Sequence, residues 1–363
     1  MSEWPLVSVV IPMRNEAATI AGLLDSILAQ DYPADRFELL VVDGQSTDDS
    51  AALVDGYARR DSRVRLLRNP RRIVPTALNI AIRAARGEII CRIDGHTRVA
   101  VDYIRRGVET LQRTGAENVG GPMHAVGGGW FGDAVATATA SRFGIGSYFH
   151  YGTAERETDT VYLGMWPRRV FERIGLFDEA LVRNQDDELN YRLRKAGGRV
   201  LLTPTMRSWY QNRQSLTGLL RQYYQYGEWK VRVLQKHPRQ MSWRHFVPPA
   251  FVAGLAGLTL LSGVVAPAAS ALRIVVGVYA AAVLAVACRL AWRRGVRACL
   301  ATALAFASIH MAWGAGFLNG LVTFGSCWWA PETAPPRLEH RDGDIPAPAP
   351  HVAGAPEVIG RAP

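Results

Sequence analysis

Apolar residues fall in short blocks through the first two hundred residues and in long blocks afterwards. Val7-Ser8-Val9-Val10-Ile11 is a short apolar run, which predicts a buried strand that Pro12 ends. Ile20, Leu23, Leu24, Ile27 and Leu28 then recur at helical spacing on one face. The alternation repeats. Residues 37–42 predict a second strand and residues 64–67 a third, followed by a helix through Ala77, Ile80, Ala81 and Ala84; residues 89–93 predict a fourth strand. Strands alternating with helices predict an α/β fold with a parallel sheet covered by helices. Further on, the pattern predicts a helix over 134–143, a returning strand over 159–164 and a short helix over 170–174. A helix capped by Asn184 and carrying Leu189 and Leu193 follows, then a strand over 199–202. The stretch between Gly120-Gly121-Pro122 and Gly127-Gly128-Gly129 is expected to be less regular.

The pattern changes near residue 215. Residues 215–236 mix Leu219, Tyr223, Trp229 and Leu234 with Arg221, Lys230, Arg232 and Lys236, which predicts an amphipathic helix at a membrane interface. Three long apolar segments follow, over 246–266, 271–292 and 299–324, and each reaches the roughly 20 residues that span a bilayer. The Arg289–Arg297 loop, with Arg239 and Arg244, is basic and belongs on the cytosolic side. If the first two segments form a hairpin, the third either carries the tail outside or re-enters, and the sequence leaves both open. The organisation expected is a catalytic domain over 1–214, interfacial helices over 215–245, a membrane region over 246–325 and a disordered Pro/Ala-rich tail over 326–363. The first residues lack a basic, signal-like stretch, so the first domain is expected in the cytosol, on an inner (plasma) membrane protein that crosses more than once.

A net charge of +10 points to anionic partners. Phosphorylated substrates and a membrane surface are expected, and nucleic acid is not. The four cysteines show no Cys-x-x-Cys spacing, so neither a disulfide framework nor a zinc site follows.

Acids recur where the strands end: Glu16, Asp43 and Asp94. The carboxyl edge of an open α/β sheet is where ligands bind. No Gly-x-Gly-x-x-Gly follows the first strand, which disfavours a dinucleotide site. Glu16 suits hydroxyl donors such as those of a ribose. Asp94-Gly95-His96 places a carboxylate and an imidazole two residues apart, a pair suited to Mn²⁺ or a similar ion. Asp-Gly is equally a turn dipeptide. The loop Asn69-Pro70-Arg71-Arg72 is either a phosphate contact or a solvated turn. Asp186, Asp187 and Glu188 open a helix, where the dipole alone favours acids.

In this order, four stretches resemble the family 2 glycosyltransferases: Val-Ser-Val-Val-Ile-Pro-Met-Arg-Asn-Glu (7–16), Val-Val-Asp-Gly-Gln-Ser-Thr-Asp (41–48), the acid-ended fourth strand, and Asn-Gln-Asp-Asp-Glu-Leu-Asn-Tyr-Arg-Leu (184–193). The nearest likeness is to membrane-bound members that build exopolysaccharide, the succinoglycan type. The resemblance implies a GT-A fold and a nucleotide-diphosphate sugar as donor. It implies donor contacts from Pro12, Asn15, Glu16, Asp43, Arg72 and Asp94. Asp94 and His96 fall on the family's Asp-x-Asp metal motif, with His in place of the second Asp, and imply a divalent cation, Mn or Mg. Asp186 falls on the catalytic base, with Asp187 as second candidate. Gln222–Tyr226 lacks the Arg and Trp of the processive Gln-x-x-Arg-Trp motif, which favours one sugar per encounter over a processive synthase. An inverting transfer to a hydroxyl of a polyprenyl-diphosphate-linked saccharide is the activity implied. A non-catalytic nucleotide-binding membrane subunit is the alternative from another class.

Overall fold

The computed structural model describes residues 4–144, 148–329 and 334–338. β1 (Val7–Met13), β2 (Phe37–Asp43), β3 (Val64–Arg68) and β4 (Ile89–Arg92) alternate with α1 (Ile20–Leu28), α2 (Ser50–Ala58) and α3 (Val74–Ala84). β1 pairs in parallel with β2 on one side and β4 on the other, and β2 pairs with β3. The chain therefore reverses its direction of travel across the sheet at β1 and β4. Such a switch point opens a crevice at the strands' carboxyl ends.

Alternation along the strands explains why both faces are covered. Val9, Ile11, Leu39 and Val41 point to one core with Ile20, Leu23 and Leu24 of α1. Val10, Leu40 and Val42 point to the other with Leu78 and Ile82 of α3. Buried polar groups are built into this sheet with partners. Glu38 is buried on β2, accepts from Ser8 Oγ at 2.7 Å, and pairs with Arg86 Nε at 2.9 Å.

β5 (Thr97–Val99), α4 (Tyr103–Thr114), β6 (Asn118–Gly121), β7 (Met123–Val126), α5 (Gly129–Thr139), β8 (Arg156–Glu157) and β9 (Tyr162–Pro167) follow. After them come α6 (Arg169–Ile174), α7 (Gln185–Lys195), β10 (Val200–Leu202) and β11 (Ser208–Gln211). β9 runs antiparallel between β4 and β6, and the main sheet has the order β3-β2-β1-β4-β9-β6-β10-β8. A small second sheet has the order β5-β11-β7. The stretch expected to be irregular thus holds two strands divided by Pro122. Gly121 lies so close to the Met206 carbonyl that any Cβ would overlap it, so the end of β6 cannot carry the apolar side chain that marks a strand; β7 has no glycine but is only four residues long. The helix expected over 134–143 begins earlier and ends at Thr139.

α8 (Leu216–Lys236) spans the stretch read as an interfacial helix. It is sandwiched between the catalytic domain and the third apolar helix. Its cations have protein partners: Lys230 pairs with Asp187, Lys236 with Asp178 at 2.6 Å, and Arg232 stacks over Phe324. His237, just past its end, meets Glu188 at 2.9 Å. Lys230 and Lys236 are thus matched by aspartates of the catalytic domain, whereas Arg221 is exposed.

α9 (Val247–Leu261), α10 (Ala266–Ala291) and α11 (Val296–Thr323) complete the described helices, and three helical stretches there are long and apolar enough to cross a membrane. Most of the tail expected to be disordered lies outside the described residues. Within it, Pro336 accepts a hydrogen bond from the Leu176 amide at 2.8 Å, and Leu338 is buried beside Phe177.

Lys236 and Asp178 are both nearly inaccessible, and removing one partner of such a pair leaves an uncompensated buried charge. Lys236→Met is expected to lower stability by about 3–5 kcal/mol, read as a shift of the unfolding midpoint in detergent. An unchanged midpoint would show that the pair does not anchor α8.

Candidate functional site

The crevice at the β1/β4 switch point is a cavity of about 1190 Å³. Its walls include Pro12, which lies within β1 and does not end it, Glu16 after β1, Arg72 before α3, Arg92, Asp94 and His96 at β4, and Asp186 and Asp187 at the start of α7. Acids more than ninety residues apart in the chain therefore meet in one space. Asn15 and Asp43 do not line it. They brace the adjoining loop: Asp43 accepts from Ser46 Oγ at 2.6 Å, Ser46 Oγ accepts from the Asn15 amide at 2.9 Å, and Asn15 Oδ1 accepts from the Thr47 amide at 2.8 Å. Left-handed backbone marks the same rim, at Asn15 (φ 56°), Gln45 (φ 58°), Arg72 (φ 63°) and Asn184 (φ 61°). Non-glycine residues held there are strained, and such strain concentrates at functional sites. Arg72 donates to Gln45 Oε1 across this rim.

Asp94 and His96 are both at the cavity, but each has a protein partner. Arg92 donates to the two Asp94 oxygens, at 2.8 and 3.2 Å. Burial opposes ionisation of Asp94, yet Arg92 outweighs it and holds the carboxyl below its usual range. His96 Nδ1 meets Glu16 Oε1 at 3.0 Å, and its ring lies edge-on to Tyr210. Burial alone would lower the imidazole; Glu16 and Asp94 reverse that and raise it. Among the described residues no group of three or more His, Cys, Asp or Glu side chains gathers as a metal cage. A carboxylate and an imidazole nevertheless fit a borderline ion such as Mn²⁺ that takes its remaining ligands from substrate phosphates and water.

Asp186 and Asp187 are adjacent and differ in kind. Lys230 on α8 pairs with Asp187 and, against the effect of burial, keeps that carboxyl below its usual value. Asp186 has no ion pair among the described residues. Its Oδ1 accepts the Asp187 amide at 2.9 Å. Burial pushes its carboxyl up, with Arg92 opposing and Asp187 adding to the rise. Asn184 stands before α7, but its side chain does not cap the helix as expected. In the left-handed backbone it donates instead to the Tyr226 carbonyl of α8 at 3.2 Å.

Two residues with no expected role emerge. Arg92 is buried, and its Nη1 has no hydrogen-bond partner among the described residues. Lys230 is buried on the face of α8 that carries Leu219, Tyr223 and Gly227. Each left a trace in the sequence: a cation inside a run that is otherwise apolar at that spacing. The C-terminal helices also line the cavity, with an apolar part from Leu219, Pro248, Ile309 and Trp313 beside polar Gln222, Lys230, His245 and His310.

The family model described as glycosyl transferase family 2 matches residues 8–175. The succinoglycan biosynthesis protein ExoA of Rhizobium meliloti (strain 1021) is 34% identical over 320 residues, covering 87% of this chain and 95% of that protein. A dolichyl N-acetyl-alpha-D-glucosaminyl phosphate 3-beta-D-2,3-diacetamido-2,3-dideoxy-beta-D-glucuronosyltransferase of Methanococcus voltae is 26% identical, covering 65% of this chain and 76% of its own. Among solved structures, the mannosyltransferase PcManGT of Pyrobaculum calidifontis, in complex with GDP-Man and Mn²⁺, superposes with a TM-score of 0.56 at 23% identity, covering 88% of each chain. That likeness carries the GT-A fold. A switch-point crevice ringed by acids, on that fold and in a chain aligned with ExoA almost end to end, makes this protein a glycosyltransferase belonging to glycosyl transferase family 2.

Proposed function

We propose that the protein moves a single sugar, with inversion, from a nucleotide-diphosphate sugar to a hydroxyl of a lipid-linked saccharide, with the catalytic domain on the cytoplasmic face of a plasma membrane. The observation that carries this reading is the division between the two adjacent acids. Lys230 commits Asp187 to an ion pair, which leaves Asp186 as the carboxylate available to take a proton. A positioned base is worth about 10²–10⁴-fold in rate. One base and direct attack at the anomeric carbon need no second carboxylate, and inversion follows.

The donor's diphosphate belongs at the β1/β4 edge, where Arg72 and Arg92 line the cavity. Glu16 is placed to accept from sugar or ribose hydroxyls. Asn15 and Asp43 act on the donor through the loop they brace. A divalent cation held by Asp94 and His96 would neutralise charge on the leaving diphosphate. Support for a lipid-linked acceptor comes from the apolar part of the lining that α8, α9 and α11 give the cavity, and from the name of the archaeal relative, which acts on a dolichyl phosphate sugar. Support for a role in exopolysaccharide or glycolipid assembly comes from the succinoglycan relative.

Membranes carrying the protein, supplied with radiolabelled nucleotide sugars, are expected to place label in the extracted lipid fraction. Asp186→Asn should keep donor binding and lose transfer by about 10²–10⁴-fold; near-normal transfer would remove Asp186 from the role. A base works only when ionised. With the Asp186 carboxyl raised by burial, transfer should fall with decreasing pH at a point above that of an ordinary aspartate. An acid limb at the ordinary aspartate position would contradict that environment. Asp94→Ala should weaken donor affinity and turnover together, and a mutant whose response to added Mn²⁺ or Mg²⁺ matches the parent would dismiss Asp94 as a ligand.

A further inference from the structure

We infer that α11 does not cross the bilayer. Only the α9–α10 hairpin inserts, and the chain after α11 lies on the same side as the catalytic domain. This goes beyond the transferase reading and does not depend on it.

The first argument is length against contact. α11 has 28 residues and is about 42 Å long, more than the roughly 30 Å of a bilayer's hydrocarbon core. A crossing helix would hold one end far from a domain that stays in water. One end of α11 instead touches a helix of that domain, and the other a helix tied to it. At its start, Arg294 Nη1 lies 3.1 Å from Thr137 Oγ1 on α5, and Arg297 stacks on Trp130 at 4.8 Å. At its end, Gln235 of α8 donates to the Phe324 carbonyl at 2.8 Å.

Between those ends α11 runs beside α8. Gly227 faces the Trp313 carbonyl and Gly316 the Tyr224 carbonyl so closely that a Cβ on either would overlap it. Asn319 Nδ2 donates to Glu228 Oε1 at 2.9 Å. α8 is tied to the catalytic domain by Lys230 and Lys236, so α11 is tied to it in turn. Protein buries 56% of the most apolar stretch of α11, against 6% for the stretch containing α9 and 11% for that containing α10. The apolarity of α11 is largely spent on protein neighbours, whereas that of α9 and α10 faces outward.

The second argument is parity. Pro336 and Leu338 are back on the catalytic domain. Only residues 324–335 separate them from the end of α11, too few for the roughly 20 that a further helical crossing needs. Irregular backbone does not traverse lipid. A chain that leaves the domain at α9 and returns to it by Pro336 crosses an even number of times.

The hairpin has the dimensions for two crossings. The stretch Trp243–Leu261 has 19 residues, about 28 Å as helix. On the other leg α10 has 26 residues, about 39 Å, with Arg273 toward its outer end and Arg289 one turn before Arg293. Exposed Trp243 and Trp292 mark the domain-side ends of the two legs, beside Arg244 and Arg293, as an aromatic and basic belt does at the headgroups. The hydrocarbon of a bilayer is thus the partner that the outward face of α9 and α10 fits.

The test uses the full chain in intact bacteria, with its native cysteines replaced and single cysteines introduced. Val264→Cys, in the turn between α9 and α10, is expected to react with a membrane-impermeant maleimide in intact cells. Ser326→Cys, just past α11, should react only after permeabilisation. Labelling of Ser326→Cys in intact cells, or failure of Val264→Cys to label there, overturns the inference. Should either variant not accumulate, a fluorescent protein that matures only in the cytosol, fused after Pro363 of the otherwise unaltered chain, gives the independent reading. Fluorescent membranes are expected, and full-length but dark fusion protein refutes the topology.

Discussion

Two ion pairs from α8, Lys230 with Asp187 and Lys236 with Asp178, help to hold the architecture together. They sit where water is scarce, so each charge depends on its partner. They fasten α8 to the catalytic domain beside the first turn of α7. α8 also seats α11, through Gly227 and Tyr224. The pairs act together with the packing of α5 on α11 to fix the C-terminal helices against the cavity that they help to line.

The same pairing shapes the chemistry. Two neighbouring aspartates at a helix start are nearly equivalent until a cation chooses one. Lys230 chooses Asp187, and Asp186 keeps a carboxylate that faces the cavity with Arg92 as its nearest opposing influence. Arg92 acts on both sides of the site, since it also grips Asp94. One buried guanidinium thereby links the edge expected to hold the donor diphosphate and the acid expected to accept the proton.

Much of this was legible along the chain. Strand and helix positions in the first hundred residues follow from local periodicity, and the structure keeps them within a residue or two. β6 was not legible, because close packing against the Met206 carbonyl demands glycine where a strand would usually advertise itself with bulk, and β7 is too short at four residues to show a pattern. Asn15 and Asp43 sit at the expected strand ends, yet side chains at a strand end have a choice of neighbours. Here they bind Ser46 and Thr47 and brace the rim without entering the cavity.

The sequence by itself determined the α/β alternation, the placement of acids at the strands' carboxyl ends and the apolar character of the last helices, because each is written in neighbouring residues. Tertiary structure alone decided which aspartate is left unpaired, which loop residues face the cavity, and what covers α11. Hydropathy records that a helix avoids water. It cannot distinguish a lipid chain from the flank of α8, since both are equally apolar to the residue that meets them.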